Sequence, residues 1–536
     1  MAKPQEPWQI LVVGGGYVGM NTALHLQRRL RLRRGEATIT VVDPQSYMTY
    51  QPFLPEAAAG SLEPRHVVVP LRKVLKRCRV ITGTVGALDH DRRRARIEPA
   101  EGDPFEMSYD HVVIAPGSVP RILPIPGLAE AGIGFKTVAE AVYLRNYVLS
   151  RLDAAASNID PELRRRALTF VFVGGGYAGI EALGELEDMA RAACRYYRGI
   201  IPQDMRWVLV EASDRILPEV SQRLGRYTVD RLRARGIDVR LSTRLESCTD
   251  THIVLSDGER FDAETVVWTA GGKPNPILAE YGVPLDDRGR VRSTVQLRVQ
   301  GMRNVWSAGD CAAVPDVTQG EGAFCGPSAQ HAVRQSRVLA HNIVRVLRGH
   351  EPKGYRHAYA GSVASLGLHK GVAEVYGVRL HGLPAWFMHR SYHLMWVPTV
   401  NRKVRVLSDW TLALFFRREA VNLGQFADPR ASFRAAAGGA REPARAETVA
   451  PVATPESSSA PPDGPDPRPA AKRASSARKA VPAKRAAKKE LPAKRAAAKA
   501  TSGKAPAKRP SKAARKAVAG DEARSTPGSG AQDGQD

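Results

Sequence analysis

A glycine-rich phrase is written twice in this chain, and the repeat constrains the fold more than any other feature. Residues 12–20 read VVGGGYVGM and residues 171–180 read VFVGGGYAGI. Each supplies G-x-G-x-x-G, as Gly14, Gly16 and Gly19 and then as Gly174, Gly176 and Gly179. An apolar run precedes each copy (residues 10–13 and 168–173), helical patterning follows, and a further apolar run ends in an acid. Those acids are Asp43 after residues 38–42 and Glu211 after residues 207–210. Strand, tight turn, helix, strand and acid together make a dinucleotide-binding βαβ unit, a much more specific signal than three glycines alone. The first glycine allows the turn, the second lets the backbone approach a pyrophosphate, and the third lets helix and strand pack closely. The phosphates then sit on free N–H groups at the positive end of the helix. Asp43 and Glu211 are placed to accept hydrogen bonds from a ribose 2′-hydroxyl. A carboxylate there repels a 2′-phosphate, so Glu211 favours NADH over NADPH, while nearby Arg215 works against that preference. The expectation is an α/β chain with two Rossmann-like domains whose dinucleotides face each other for electron transfer.

At 536 residues the chain has room for two or three domains with full cores. Its formal net charge of +25 and pI near 10.1 are unusual and suggest an anionic partner. Much of the excess lies at the C-terminal end. From about residue 435 the sequence is Ala, Pro, Ser, Lys and Arg, with PAAKR at 469–473, PAKRAA at 482–487, PAKRAAA at 492–498 and PAKRP at 506–510. Proline breaks helices and too little apolar surface is present to offset ordering entropy, so residues 431–536 are expected to form a disordered basic tail. Two readings stand for it: binding anionic lipid, nucleic acid or acidic protein, or acting as a solubilising extension. Without interleaved aromatics it lacks the means for sequence-specific nucleic-acid recognition. The five cysteines (Cys78, Cys194, Cys248, Cys311, Cys325) have no CxxC spacing and read as small buried residues in a reducing compartment; no metal site is expected. The N-terminus MAKPQEPWQI has no signal pattern, and no run approaches the roughly 18 apolar residues of a membrane span.

Three further segments connect the repeats. Residues 109–118 read YDHVVIAPGS, residues 266–276 read VVWTAGGKPNP, and residues 303–313 read RNVWSAGDCAA. With the two βαβ units, this pattern resembles the two-dinucleotide flavoprotein disulfide-reductase superfamily. The resemblance implies that the first unit and the later Gly-Asp segment hold FAD and that the inserted second unit holds NADH. Asp43 would then meet the adenosine ribose of FAD and Asp310 its ribityl or pyrophosphate portion, with Gly117 and Gly271 in the turns beside the cofactors. Residues 44–60, PQSYMTYQPFLPEAAAG, contain no cysteine, which excludes a dithiol relay there. That segment resembles instead the type II NADH dehydrogenases, single-subunit NADH:quinone oxidoreductases. Glu181, two residues past Gly179, matches a family glutamate at the nicotinamide–flavin junction. PSAQHAVRQ at 327–335 fits the family's AQxAxxQ pattern, with Ala329, Gln330, Ala332 and Gln335 in register. AGSVASLGLHKGVAEV at 360–375 resembles the strand pair opening the family's C-terminal domain. Gln330 and Gln335 are expected to line a slot beside the flavin, where an uncharged amide donates to a quinone carbonyl without the desolvation cost of a charge. His331 reads as a packed or exposed helix residue and not as a proton donor. Two positions depart from the family pattern, Pro116 for a threonine and Ser336 for a glycine.

The resulting division is an FAD domain at 6–121 and 295–350, an NADH domain at 122–294, a C-terminal membrane-associating region at 351–430 and the tail. Within 383–426, Trp386, Phe387, Trp396, Trp410, Phe415 and Phe416 lie among His, Arg and Lys. Aromatic anchors with basic flanks suit a helix lying in the headgroup layer. The expected activity is hydride transfer from NADH to FAD and two-electron reduction of a membrane quinone. The enzyme is expected on the cytoplasmic face of an anionic membrane surface, with a homodimer left open. The alternatives are a ferredoxin or rubredoxin reductase, which needs no aromatic-basic segment, and a sulfide:quinone oxidoreductase, which needs cysteines flanking the flavin.

Overall fold

The structure, a computed structural model, describes residues 6–423 except 33, 34, 358, 359, 417 and 419. The expected tail at 431–536 and the end of the C-terminal region lie outside the described residues.

Two sheets are built around the two glycine phrases. In the first, the strands run Val305–Ser307, His111–Ile114, Trp8–Val13, Ala37–Asp43, Arg79–Asp89, Arg94–Pro99 and Phe105–Ser108. The first five pair in parallel and the last two are added antiparallel. The second sheet is all parallel, in the order Gly132–Gly134, Thr265–Trp268, Thr169–Val173, Arg206–Val210, Ile237–Arg240. Sequence explains the choice: Ile10–Val13 and Phe170–Val173 are buried without alternation, the signature of strands covered on both faces. The two segments with related sequence, residues 109–118 and 266–276, bring the sheets together. Their ends, Ser118–Pro120 and Gly272–Pro274, pair antiparallel with Val119 opposite Lys273.

The helix that follows the first glycine phrase, Tyr17–Arg29, packs on the Ala329–Leu347 helix, and Thr22 Oγ1 reaches the Ser336 carbonyl at 3.5 Å. Ser336 is fully buried in this contact and donates its hydroxyl to the Val333 carbonyl at 2.7 Å, so the polar replacement costs no unmet hydrogen bond.

A three-stranded antiparallel sheet follows (Gly361–Ser365, Gly371–Val375, Val378–His381), and then two helices, Leu383–Trp396 and Val400–Phe415. Pro398 forbids one continuous helix, and Thr399, with φ of +73°, turns the chain and caps the second helix by accepting the Arg402 N–H at 3.3 Å. The expectation of six outward aromatic anchors is corrected here. Trp386 and Trp410 are buried, and their rings sandwich the Arg390 guanidinium at 4.1 and 4.7 Å. Phe387, Trp396, Phe415 and Phe416 are exposed. No helix among the described residues is long and apolar enough to cross a membrane.

Candidate active site

The two glycine phrases form two cradles with the same internal bonding. In the first, the Gly15 N–H donates to Asp43 Oδ2 at 2.6 Å; in the second, the Gly175 N–H donates to Glu211 Oε2 at 2.6 Å. Burial raises the pKa of Asp43, while the N–H groups of Gly15 and Gln45 oppose that rise. The glycines divide their tasks by geometry. A Cβ on Gly14, at φ of +94°, would lie 2.2 Å from the Ala115 carbonyl oxygen, and one on Gly19 would lie 1.8 Å from the Gly14 carbonyl oxygen. Gly16 and Gly176 are different: a Cβ on either would meet no atom within 4 Å. The open space lies at the start of each helix, where the free N–H groups point, and it fits a pyrophosphate. Glu211 Oε1 takes the Ser213 N–H and hydroxyl, so its carboxylate is held at the end of the Arg206–Val210 strand. Arg215 forms no ion pair with this carboxylate; its guanidinium donates to the carbonyls of Pro218 and Val220.

Asp310 stands in the turn after Val305–Ser307, beside the first cradle. The Ser118 hydroxyl donates to Asp310 Oδ2 at 3.0 Å, and Lys136 Nζ donates to Ser118 Oγ at 2.8 Å. Gly117 and Gly271 both take positive φ, +72° and +76°, in the turns that lead into the paired segments. Ala329 is exposed at the first position of its helix.

The two glutamines are in the expected register, but their amides do not both face an open slot. Gln335 is buried and its Oε1 accepts the Gly309 N–H at 2.8 Å, which braces the Gly-Asp turn from behind. Gln330 Nε2 donates to the Gly361 carbonyl at 2.7 Å, and its Oε1 is a buried acceptor without a partner. The Oε1 that Gln330 leaves without a partner is an acceptor, suited to a hydroxyl or N–H, while its Nε2 keeps a second N–H that can still donate. His331 is buried, with Nδ1 2.9 Å from the Tyr355 hydroxyl.

Glu181 points inward from the helix of the second cradle. Its Oε1 accepts the Ser365 N–H at 2.9 Å and lies 3.0 Å from His389 Nε2, close enough for charge attraction though off hydrogen-bond geometry. Around it lies a buried charged cluster that sequence reasoning missed. Glu56 Oε2 accepts from Arg390 at 2.9 Å and from the Trp410 indole at 2.6 Å, and Glu185 Oε2 pairs with Arg418 at 2.9 Å. Burial disfavours the charged form of His389, but the carboxylates of Glu181, Glu56 and Glu185 together raise its pKa. His393, one turn on, is pushed well below the usual histidine range by burial and by His389; the two rings lie 4.6 Å apart. His393 Nδ1 lies 3.2 Å from the Tyr50 hydroxyl, and the Tyr50 ring is 6.1 Å from that of Tyr17 in the first cradle. Glu181, His389, His393, Tyr50 and Tyr17 thus follow one another as a series between the second cradle and the first. Only its composition, HRSYH within an amphipathic run, was open to reading from sequence.

Residues 8–336 match the family described as pyridine nucleotide-disulphide oxidoreductase. A type II NADH:quinone oxidoreductase of Staphylococcus aureus (strain NCTC 8325 / PS 47) is 30% identical over 393 residues, 72% of this chain and 94% of that protein. One from Mycobacterium tuberculosis (strain ATCC 25618 / H37Rv) is 27% identical over 431 residues, 78% of this chain and 90% of that protein. Among solved structures, NDH2 from Plasmodium falciparum in complex with NADH shares the fold at a TM-score of 0.72 and 16% identity, over 78% of this chain and 100% of that one. The chain therefore belongs to the pyridine nucleotide-disulphide oxidoreductases, and within them to the type II NADH:quinone oxidoreductases.

Proposed function

We propose that the chain oxidises NADH and reduces a quinone by two electrons, with FAD in the first cradle and NADH in the second. The observation that carries this reading is that both cradles are intact while residues 44–60 offer Tyr50 and Phe53, and no thiol, beside the first. FAD, when bound, accepts hydride at one face and releases electrons singly or in pairs, which suits it to join NADH to a quinone. The protein's part is positioning and proton supply. Asp43 and Asp310 hold the FAD ribose and the ribityl–pyrophosphate portion. Glu211 takes the ribose hydroxyls of NADH, and the carbonyl clamp on Arg215 leaves that site selective for NADH over NADPH. Gln335 keeps the Gly309–Asp310 turn in place, and Gln330 offers its free carbonyl oxygen to the reduced acceptor's hydroxyl.

NADH oxidation releases one proton with two electrons, and quinol formation consumes two protons, so one further proton must enter from solvent. Glu181, His389, His393 and Tyr50 supply a buried path for it, supported by their spacing from the second cradle to the first. The quinone reaches the site from a membrane surface. Supporting this, Val400, Val404, Leu407 and Leu414 recur at helical spacing on one exposed face, beside exposed Phe415 and Phe416. Arg402 and Arg405 flank them, and the basic tail adds attraction to an anionic leaflet on the cytoplasmic face. The division into FAD, NADH and C-terminal domains at the expected boundaries belongs to this reading.

Rapid mixing of the flavin-loaded protein with NADH and then a soluble quinone, beside an NADPH control, tests the proposal. The flavin should bleach with NADH and recover with quinone faster than with oxygen. Recovery with a protein acceptor but not with quinone would overturn it.

A further inference from the structure

We propose that Asp316, Cys325 and His331 form a binding site for a single Zn2+ ion at the start of the Ala329–Leu347 helix. The three are brought together by the fold. A hairpin closes residues 314–325 through the Asp316 N–H on the Ala323 carbonyl at 2.8 Å and the Cys325 N–H on the Val314 carbonyl at 2.9 Å. Asp316 and Cys325 therefore stand side by side, and His331 in the first turn of the helix meets them. One carboxylate oxygen, one sulfur and one ring nitrogen lie within 4.8 Å of one another, and all three residues are buried. Zinc–ligand bonds of about 2.0–2.3 Å draw tetrahedral donors to separations of roughly 3.5 Å, a small contraction from this arrangement.

Three observations favour a cation over a satisfied polar cluster. Asp316 is buried, yet among the described residues it forms no ion pair with Lys or Arg, so its charge has no counter-ion. The donors are already oriented. The Thr318 N–H and hydroxyl both bind Asp316 Oδ1, the Gln319 side chain also holds that carboxylate, and the Tyr355 hydroxyl engages His331 Nδ1, leaving Nε2. Metal-binding histidines and carboxylates are held in this way by outer partners. Finally, a fourth donor is near: His357 Nε2 is buried without a hydrogen-bond partner, and its ring lies 5.9 Å from that of His331. Thiolate, imidazole and carboxylate together suit Zn2+ over the hard cations Mg2+ and Ca2+.

Binding releases the Cys325 proton and forms the Zn–S, Zn–N and Zn–O bonds, with no redox change. The test uses the untagged full-length flavoprotein, stripped with a chelator and titrated with Zn2+ against a chromophoric competitor, followed by zinc X-ray absorption of the loaded protein. One equivalent of zinc with one sulfur in its first shell is expected. Cys325→Ser should lose that sulfur, and Tyr355→Phe should keep it while weakening binding about 10–100-fold. Each variant is compared at equal flavin content and equal metal-free melting temperature, and His331→Gln serves where Cys325→Ser does not fold. No stoichiometric zinc, or a sulfur that survives in Cys325→Ser, would overturn the site.

Discussion

Glu181 Oε1 and His389 Nε2 meet at 3.0 Å in a space where both side chains are buried. The pair joins the helix of the second nucleotide cradle to the first of the two C-terminal helices, so the nicotinamide side and the proposed membrane side share one buried contact. Glu56, Glu185, Arg390 and Arg418 surround it, and each carboxylate has a cation or a backbone N–H. Buried charges of this kind are costly when one partner is removed.

Replacing Glu181 by Gln keeps the acceptor for the Ser365 N–H but strips the negative charge from His389. A loss of about 3 kcal/mol in stability is expected, the lower end of the range for a broken buried pair. The pH dependence supplies a second reading. His389 is held above the ordinary value of 6.5, so its proton is bound more tightly in the folded chain than in the unfolded one. Its contribution is fully present below about pH 6.5 and is lost as pH rises through the folded value. Urea titrations at acid and alkaline pH should show this decline in the wild type and a smaller one in Glu181→Gln. An equal decline in both would assign it to other groups.

The two cradles separate binding from folding in a way that paired substitutions expose. A side chain at Gly176 meets open space, whereas one at Gly179 meets the Gly174 carbonyl at 2.0 Å. Gly176→Val should therefore leave the fold and the flavin content intact and raise the KM for NADH at least tenfold, through loss of the close backbone approach to phosphate. Gly179→Val should lower the melting temperature and soluble yield instead. Calorimetry and NADH titration of the two proteins distinguish these outcomes.

His111 gives a pH effect of the opposite sign. It is buried at the start of a strand of the first sheet, where its Nδ1 accepts the Trp306 indole N–H at 3.3 Å, and burial lowers its pKa from 6.5 to about 4. The unfolded chain binds this proton first as the solution is acidified. Stability from the neutral ring is therefore full above about pH 6.5 and falls as pH drops towards 4, by roughly 3 kcal/mol at about 1.4 kcal/mol per unit. His111→Phe loses the Trp306 hydrogen bond at neutral pH but should flatten the slope between pH 6.5 and 4, measured by guanidinium titration at several pH values.

The cradles were legible because every feature that makes them is local. A turn glycine, a helix start and an acid closing the next strand lie within about thirty to forty residues of one another, and the backbone has few ways to satisfy them. The parallel sheets followed from unbroken apolar runs. The charged cluster was not legible, because Glu56, Glu181, Glu185, His389, Arg390 and Arg418 come from distant parts of the chain and meet only after packing. The same limit applies to Asp316, Cys325 and His331, whose spacing matches no metal motif. The AQxAxxQ register was readable, but the partners of Gln330 and Gln335 are backbone groups of Gly361 and Gly309, which no side-chain pattern reveals. Trp386 and Trp410 misled for a chemical reason. An aromatic beside a basic residue suits a lipid interface and a buried cation–π sandwich equally well, and only the direction of the helix face decides.

That distinction between inward and outward aromatics can be measured. Phe387, Phe415 and Phe416 are exposed, at 67%, 78% and 67%, while Trp386 is 8% exposed against Arg390. A phenyl ring moved from water into the acyl boundary, partly buried, contributes about 1 kcal/mol, below the ~1.5–3 kcal/mol of full burial. Changing all three phenylalanines to serine should weaken binding to anionic vesicles by roughly 100-fold, with NADH oxidation by a soluble acceptor unchanged. Trp386→Ser should do the reverse. It would unseat Arg390 from its stack, leave Glu56 less firmly paired and cost about 3–5 kcal/mol of stability, while the membrane face stays intact. Vesicle sedimentation and thermal melts on the same two proteins would separate the effects. Unchanged vesicle binding in the triple variant would place the docking surface elsewhere on the molecule.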